Sequence, residues 1–107
     1  MITSTSNPRI KNLMQLQKKG KARREQQCFV VEGLKMVLEA PSERLKAIYM
    51  SENFSRDEEQ KKAVEKKAAA SGCFLEVLSD KVFKDASDTM TPQGVMAVVS
   101  MVSFDWQ

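Results

Sequence analysis

Short apolar runs alternate with helical stretches along most of the chain. Four such runs lie at residues 28–31, 45–50, 73–77 and 95–99. Runs of this length with β-branched and aromatic residues are typical of strands, and the first and last are apolar throughout, which predicts burial on both faces of a sheet. The alternation of these strands with helices predicts a three-layer α/β/α domain.

The first helix is predicted to begin at Asn7 and Pro8. Asparagine is a favoured N-cap, and proline at the first helical position loses no intrahelical hydrogen bond. Four apolar residues then recur at helical spacing: Ile10, Leu13, Met14 and Leu16. We expect Gly20 to bend or end this helix, and residues 21–27 to form another turn or two before the first strand.

Three further helices are predicted between the strands. Residues 34–40 carry a helical apolar stripe that ends at Pro41, because proline disfavours a helical conformation in the residue before it. Residues 55–71 begin with capping-box spacing, so we expect their first serine to be the N-cap and Gly72 to be the left-handed stop. Ser79 is expected to cap a short helix before the last strand.

Length and composition indicate a single folded domain. The chain has 107 residues, of which 42% are hydrophobic and 29% charged, which excludes a large multi-domain enzyme and a disordered chain. Its net charge of +3 is unevenly distributed. Residues 1–50 carry ten basic and four acidic side chains, whereas residues 51–107 carry seven and ten. Such asymmetry is expected where one face of a protein meets a polyanion.

The candidate binding site is a basic segment with no acidic residue. Its seven cations are Arg9, Lys11, Lys18, Lys19, Lys21, Arg23 and Arg24. Lysine attracts phosphate as a point charge and arginine as a bidentate donor, so this segment is predicted to contact the phosphates of single-stranded or looped nucleic acid. The alternative interpretation is an ordinary solvated helix face, and a third is a surface for an acidic protein partner.

Several chemistries are disfavoured by what the sequence lacks. It has no histidine, which removes the usual general base of hydrolases and the commonest zinc ligand. Cys28 and Cys73 lie in apolar runs, where thiols act as small hydrophobic groups. Neither a signal peptide nor a membrane-spanning run is recognisable, so we expect a soluble cytoplasmic protein without a membrane partner. No glycine-rich phosphate loop or metal-ligand cluster is apparent.

Two glycine-containing motifs each allow two interpretations. Glu32 and Gly33 lie where a strand is predicted to meet a helix, and they suit either a catalytic acid or a structural turn. Residues 91–94, Thr-Pro-Gln-Gly, suit either a turn into the last strand or the placement of Gln93 at a ligand.

Together these motifs resemble a known family. The first motif is Asn-Pro-Arg-Ile-Lys at residues 7–11, followed by Leu13 and Leu16. Arg24 then precedes by five residues the motif Phe-Val-Val-Glu-Gly at 29–33, and Thr-Pro-Gln-Gly-Val at 91–95 comes last. The sequence is similar to the N-terminal substrate-binding domain of SpoU/TrmH-type RNA 2′-O-ribose methyltransferases over residues 2–100. The resemblance implies a four-stranded mixed sheet between helices, a fold like that of ribosomal proteins that bind kinked RNA.

The resemblance also implies which part of the protein performs each function. Residues 1–27 would be a basic helical arm, 28–100 the RNA-binding domain, and 101–107 the start of a linker to a catalytic domain outside this sequence. Lys11 and Arg24 match basic positions expected at RNA. In that family S-adenosylmethionine binding, catalysis and homodimer formation belong to the following domain.

We therefore expect a domain that binds rRNA or tRNA mainly by shape and backbone. It would hold no cofactor and have no catalytic activity by itself, and it would be monomeric. The alternative is a stand-alone ribosome-associated or kink-turn RNA-binding protein.

Overall fold

A mixed sheet with helices on both faces is the framework of this protein. The structure, a computed structural model, describes residues 1–90 and 92–101. The helices are α1 (Pro8–Lys18), α2 (Gly20–Gln26), α3 (Leu34–Glu39), α4 (Glu52–Ser55), α5 (Glu58–Ser71) and α6 (Asp80–Ala86). The strands are β1 (Cys28–Glu32), β2 (Leu45–Ser51), β3 (Phe74–Leu78) and β4 (Val95–Ser100).

The strands lie in the order β1, β4, β2, β3. β4 runs antiparallel to both β1 and β2, and β2 runs parallel to β3. The prediction of a four-stranded mixed sheet is confirmed, with β4 in the interior. The prediction that β1 is buried on both faces is wrong, because β1 is an edge strand and all five of its residues are only partly buried. The helical layers cover the centre of the sheet more fully than its edges.

Helices cover the two faces of the sheet separately. On one face, Ile48 of β2 lies in a buried cluster with residues of α3, α4 and α5, including Val37 and Val64. On the other face, the next residue, Tyr49, lies in a second cluster with Leu13 of α1 and Phe83 of α6. Successive strand residues point to opposite faces, so β2 contributes to both cores. The three-layer α/β/α architecture is confirmed.

The N-terminal residues are built into this framework. Ile10, Leu13 and Leu16 of α1 are at most 1% exposed. Further upstream, Ile2 pairs in parallel with the edge of β3, donating its N–H to the Val77 carbonyl at 2.9 Å. Residues on both sides of the predicted boundary at residue 27 therefore pack together in one core. Of the predicted linker, only Met101 is described.

Two predicted helix boundaries need correction. The break after α1 lies at Lys19, whose backbone is extended, and Gly20 is the first residue of α2. Ser55 does not cap α5, because its hydroxyl donates to the Glu52 carbonyl within α4. Asp57 caps α5 instead, accepting from the Gln60 N–H at 3.1 Å, and its charge suits a helix N-terminus.

The remaining capping predictions hold. Ser79 caps α6 by accepting from the Val82 N–H at 3.3 Å. Gly72 ends α5 in the left-handed conformation, at φ +65°. Asn7 caps α1 by accepting from the Arg9 N–H at 2.9 Å.

Replacement of Gly94 by alanine should destabilise the protein severely. Gly94 has φ +100°, and a Cβ there would lie 2.8 Å from the Phe54 Cβ and 3.0 Å from the Ser51 Oγ. Backbone strain and overpacking together should lower the free energy of unfolding by about 3 kcal/mol in urea denaturation. Gly72→Ala is the matched control, because no atom lies within 4 Å of its Cβ position, and it should cost about 1 kcal/mol. Equal losses for the two variants would contradict this account.

Candidate nucleic-acid interface

Three lysines at the end of the molecule formed by α1 line one shallow groove. Lys11, Lys18 and Lys19 surround it together with Thr5, Met14 and Gln15, and its volume is about 330 Å³. Lys11 and Lys18 share a helix face because they are seven residues apart. All three side chains are exposed, and within residues 1–90 and 92–101 no carboxylate forms an ion pair with them. We call this surface the lysine groove.

Arg23 has a structural role that the sequence analysis missed. Its guanidinium donates to the carbonyls of Leu16 at 2.6 Å and Gln17 at 3.3 Å. In a continuous helix these carbonyls would accept from the N–H groups four residues later, and the break at Lys19 removes those donors. Arg23 replaces them and fixes the angle between α1 and α2. Its half-buried charge is committed to the fold.

The other two cations of α2 face solvent. Lys21 lies 3.8 Å from Glu25 one helical turn away, an exposed pair of little energetic consequence. Arg24 is exposed. Neither lines the lysine groove, so the structure separates the seven predicted residues into distinct surfaces.

Arg9 lies on the opposite side of α1, against the sheet. Its guanidinium carbon is 3.7 Å from the centroid of the Phe74 ring, a cation–π contact. It also lies beside the Tyr49 hydroxyl. Burial raises the pKa of Tyr49, and the hydrogen bond and charge of Arg9 oppose that rise. Tyr49 is therefore a neutral phenol beside the arginine.

Arg9 borders a second groove, between α1 and β2. This Arg9 groove has a volume of about 190 Å³, and its polar lining consists of Arg9, Asn12, Gln26, Lys46 and Tyr49. Asn12 and Gln26 hold each other by reciprocal amide hydrogen bonds of 3.0 and 2.7 Å. Lys46 is exposed at a register shift in β2 and was not among the predicted site residues. In the sequence, Lys46 is distinguished only as the single lysine within the apolar run at residues 45–50.

Glu32 is a structural residue in this fold. Its carboxylate accepts from the Ser87 hydroxyl at 2.5 Å, the Asp88 N–H at 3.0 Å and the Gln17 amide at 3.2 Å. These bonds join β1 to α1 and to the segment after α6. The geometry favours the structural interpretation over the catalytic one, because three protein donors already bind the carboxylate.

The two glycine motifs come together at one end of the sheet. Gly33 has φ +102°, and the Gln93 side chain packs against it, with its Oε1 2.9 Å from the position of a Cβ. The Gly33 N–H donates to the Val95 carbonyl at 2.9 Å. Both motifs therefore act as turns that pack against each other at this end of the sheet. Thr91 lies outside the described residues.

Neither a membrane-spanning helix nor a metal-ligand cluster occurs among residues 1–90 and 92–101. No helix there is long and apolar enough to cross a membrane. No group of three or more Cys, Asp or Glu side chains there is arranged to hold a metal ion.

Comparison with known proteins identifies the fold. Residues 7–97 match the family model of the MRM3-like substrate binding domain. The chain belongs to this family. A match over most of the chain confirms the resemblance found in the sequence, and the domain is of the substrate-binding type.

Solved structures extend the likeness of this MRM3-like domain. An rRNA methyltransferase from Sinorhizobium meliloti is 26% identical with a TM-score of 0.74, and the match covers 94% of this chain and 36% of that one. An RNA 2′-O ribose methyltransferase is 27% identical with a TM-score of 0.69, and the match covers 99% of this chain and 39% of that one. A putative RNA methyltransferase of the TrmH family from Porphyromonas gingivalis is 26% identical with a TM-score of 0.64. That match covers 89% of this chain and 35% of the other. The chain thus spans between 35% and 39% of these proteins. A search of curated protein sequences finds no significant match.

Replacement of Arg23 by methionine should destabilise the domain. The change leaves the Leu16 and Gln17 carbonyls without their charged donor, so the free energy of unfolding should fall by about 2 kcal/mol in urea denaturation. Arg24→Met, one residue along and exposed, should change it by less than about 0.5 kcal/mol. Similar stabilities for both variants would show that Arg23 does not hold the helix break.

Proposed function

We propose that this domain binds structured rRNA or tRNA and presents it to a SpoU/TrmH-type 2′-O-ribose methyltransferase domain. The observation that carries the proposal is the lysine groove, in which three exposed ammonium groups converge without acidic partners among the described residues. Converging cations attract the phosphates of a polyanion. Membership of a substrate-binding family, and the RNA methyltransferases among its structural relatives, support RNA as that polyanion.

The surface would consist of the exposed members of the basic segment. Lys11, Lys18 and Lys19 would contact phosphates in the lysine groove, and Lys21 and Arg24 would extend this positive surface along α2. Arg23 would contribute less to direct contact, because one nitrogen of its guanidinium already donates to two backbone carbonyls.

Methyl transfer would belong to the following domain, together with S-adenosylmethionine and homodimer formation. Structures of two relatives contain that cofactor. In this chain Gly33 packs against Gln93, and Gly94 packs against Ser51 and Phe54, so neither glycine offers an open turn at which a nucleoside could approach the backbone. The domain's own role would be to hold and orient the RNA.

Charge reversal in the lysine groove should abolish most RNA binding. Lys18→Glu combined with Lys19→Glu replaces attraction by repulsion, and affinity for rRNA or tRNA fragments should fall at least about tenfold in electrophoretic or anisotropy titrations. Three phosphate contacts also predict a loss of wild-type affinity of roughly 20-fold between about 50 and 200 mM salt.

The matched control is Lys62→Glu combined with Lys66→Glu. These exposed lysines lie on α5, across the sheet from α1, and the change in net charge is identical. This variant should bind almost as the wild type does. If both double variants lose affinity equally, net charge rather than the lysine groove governs binding.

A further inference from the structure

We propose that the Arg9 groove binds one unpaired nucleotide of the RNA, with its base stacked on the Arg9 guanidinium. The inference rests on the proposed RNA-binding function and adds a site that recognises an unstacked base. It adds recognition of a base to the expected recognition, which is mainly by shape and backbone.

The Arg9 side chain is preorganised for stacking. Its guanidinium carbon lies 3.7 Å from the centroid of the Phe74 ring, and the buried Tyr49, at 2% exposure, lines the same groove beside it. Arg9 is exposed and lines a groove to which Phe74 does not contribute, so a base in this groove would meet the guanidinium on the side turned away from Phe74. A planar guanidinium fixed on an aromatic ring offers a second planar surface, and unpaired bases stack on such surfaces.

The remaining lining residues suit the rest of a nucleotide. The reciprocal bonds between Asn12 and Gln26 use one donor and one acceptor site on each amide, which leaves a further N–H and lone pair on each for the edge of a base. Lys46 supplies an exposed positive charge for the adjoining phosphate.

The size of the groove also favours a single base. Its volume of about 190 Å³ is smaller than that of the lysine groove and is too small to hold a base pair. The two grooves flank α1, so a strand that crosses this helix could place phosphates in one and a base in the other. Folded RNA supplies such unpaired nucleotides in its loops and bulges.

The test separates stacking from charge. Arg9→Lys keeps the positive charge and removes the planar group. The probes are an RNA hairpin with a uridine loop and the same hairpin with abasic loop nucleotides, titrated by fluorescence anisotropy against the 107-residue chain. The variant should bind the uridine-loop hairpin about tenfold more weakly and the abasic hairpin as tightly as the wild type does. Arg56→Lys, an exposed arginine after α4, is the matched control and should change neither affinity.

Each other outcome overturns the inference. An equal loss for both hairpins would show that Arg9 acts on the backbone or on the fold, and no loss for either would remove Arg9 from the interface. If the lysine-groove variant loses affinity while Arg9→Lys does not, the proposed function stands and only the nucleotide site fails. If the wild-type chain binds neither hairpin nor rRNA and tRNA fragments, the proposed function fails and this site fails with it.

Discussion

Burial of the apolar stripe of α1 against the sheet is the interaction on which the rest of this structure depends. Ile10 and Leu13 belong to the core that covers one face of the sheet, and Leu16 is equally buried at the end of the helix. Because this stripe fixes the rotation of α1, it also fixes where the polar residues between its members point. Lys11 and Lys18 are directed to one flank and Arg9 to the other. The helix therefore gives the domain both a closed core and its two charged grooves.

Charged residues serve two different purposes in this fold, and only their contacts distinguish them. Arg23 replaces missing backbone donors where α1 ends, and Glu32 accepts three hydrogen bonds that tie β1 to α1 and to the end of α6. Both already make hydrogen bonds within the protein that stabilise its fold. The lysines of α1 have no such partners among the described residues, and that difference makes them available to a ligand.

The sequence predicted those features of the fold that depend on local interactions. The four strands, the caps at Asn7 and Ser79 and the left-handed stop at Gly72 follow from a few neighbouring residues. The edge position of β1 depends on pairing with a strand far along the chain, and its apolar run does not reveal it. The cap of α5 was misassigned because Ser55 and Asp57 both suit that role, and a separate short helix uses the first.

The candidate site was predicted in composition but not in arrangement. All seven basic residues lie in α1, in α2 or at the break between them, yet the sequence could not show that Arg23 is satisfied internally. Lys46 was missed because it joins the Arg9 groove only through the packing of α1 on β2. The course of the chain after β4 has a separate consequence. Met101 donates its N–H to the Gln27 carbonyl at 2.8 Å, so the backbone leaves the sheet beside the junction of α2 and β1. Any domain joined after this point is tethered next to the positively charged helices, and a short tether would give it a high effective concentration at RNA held there.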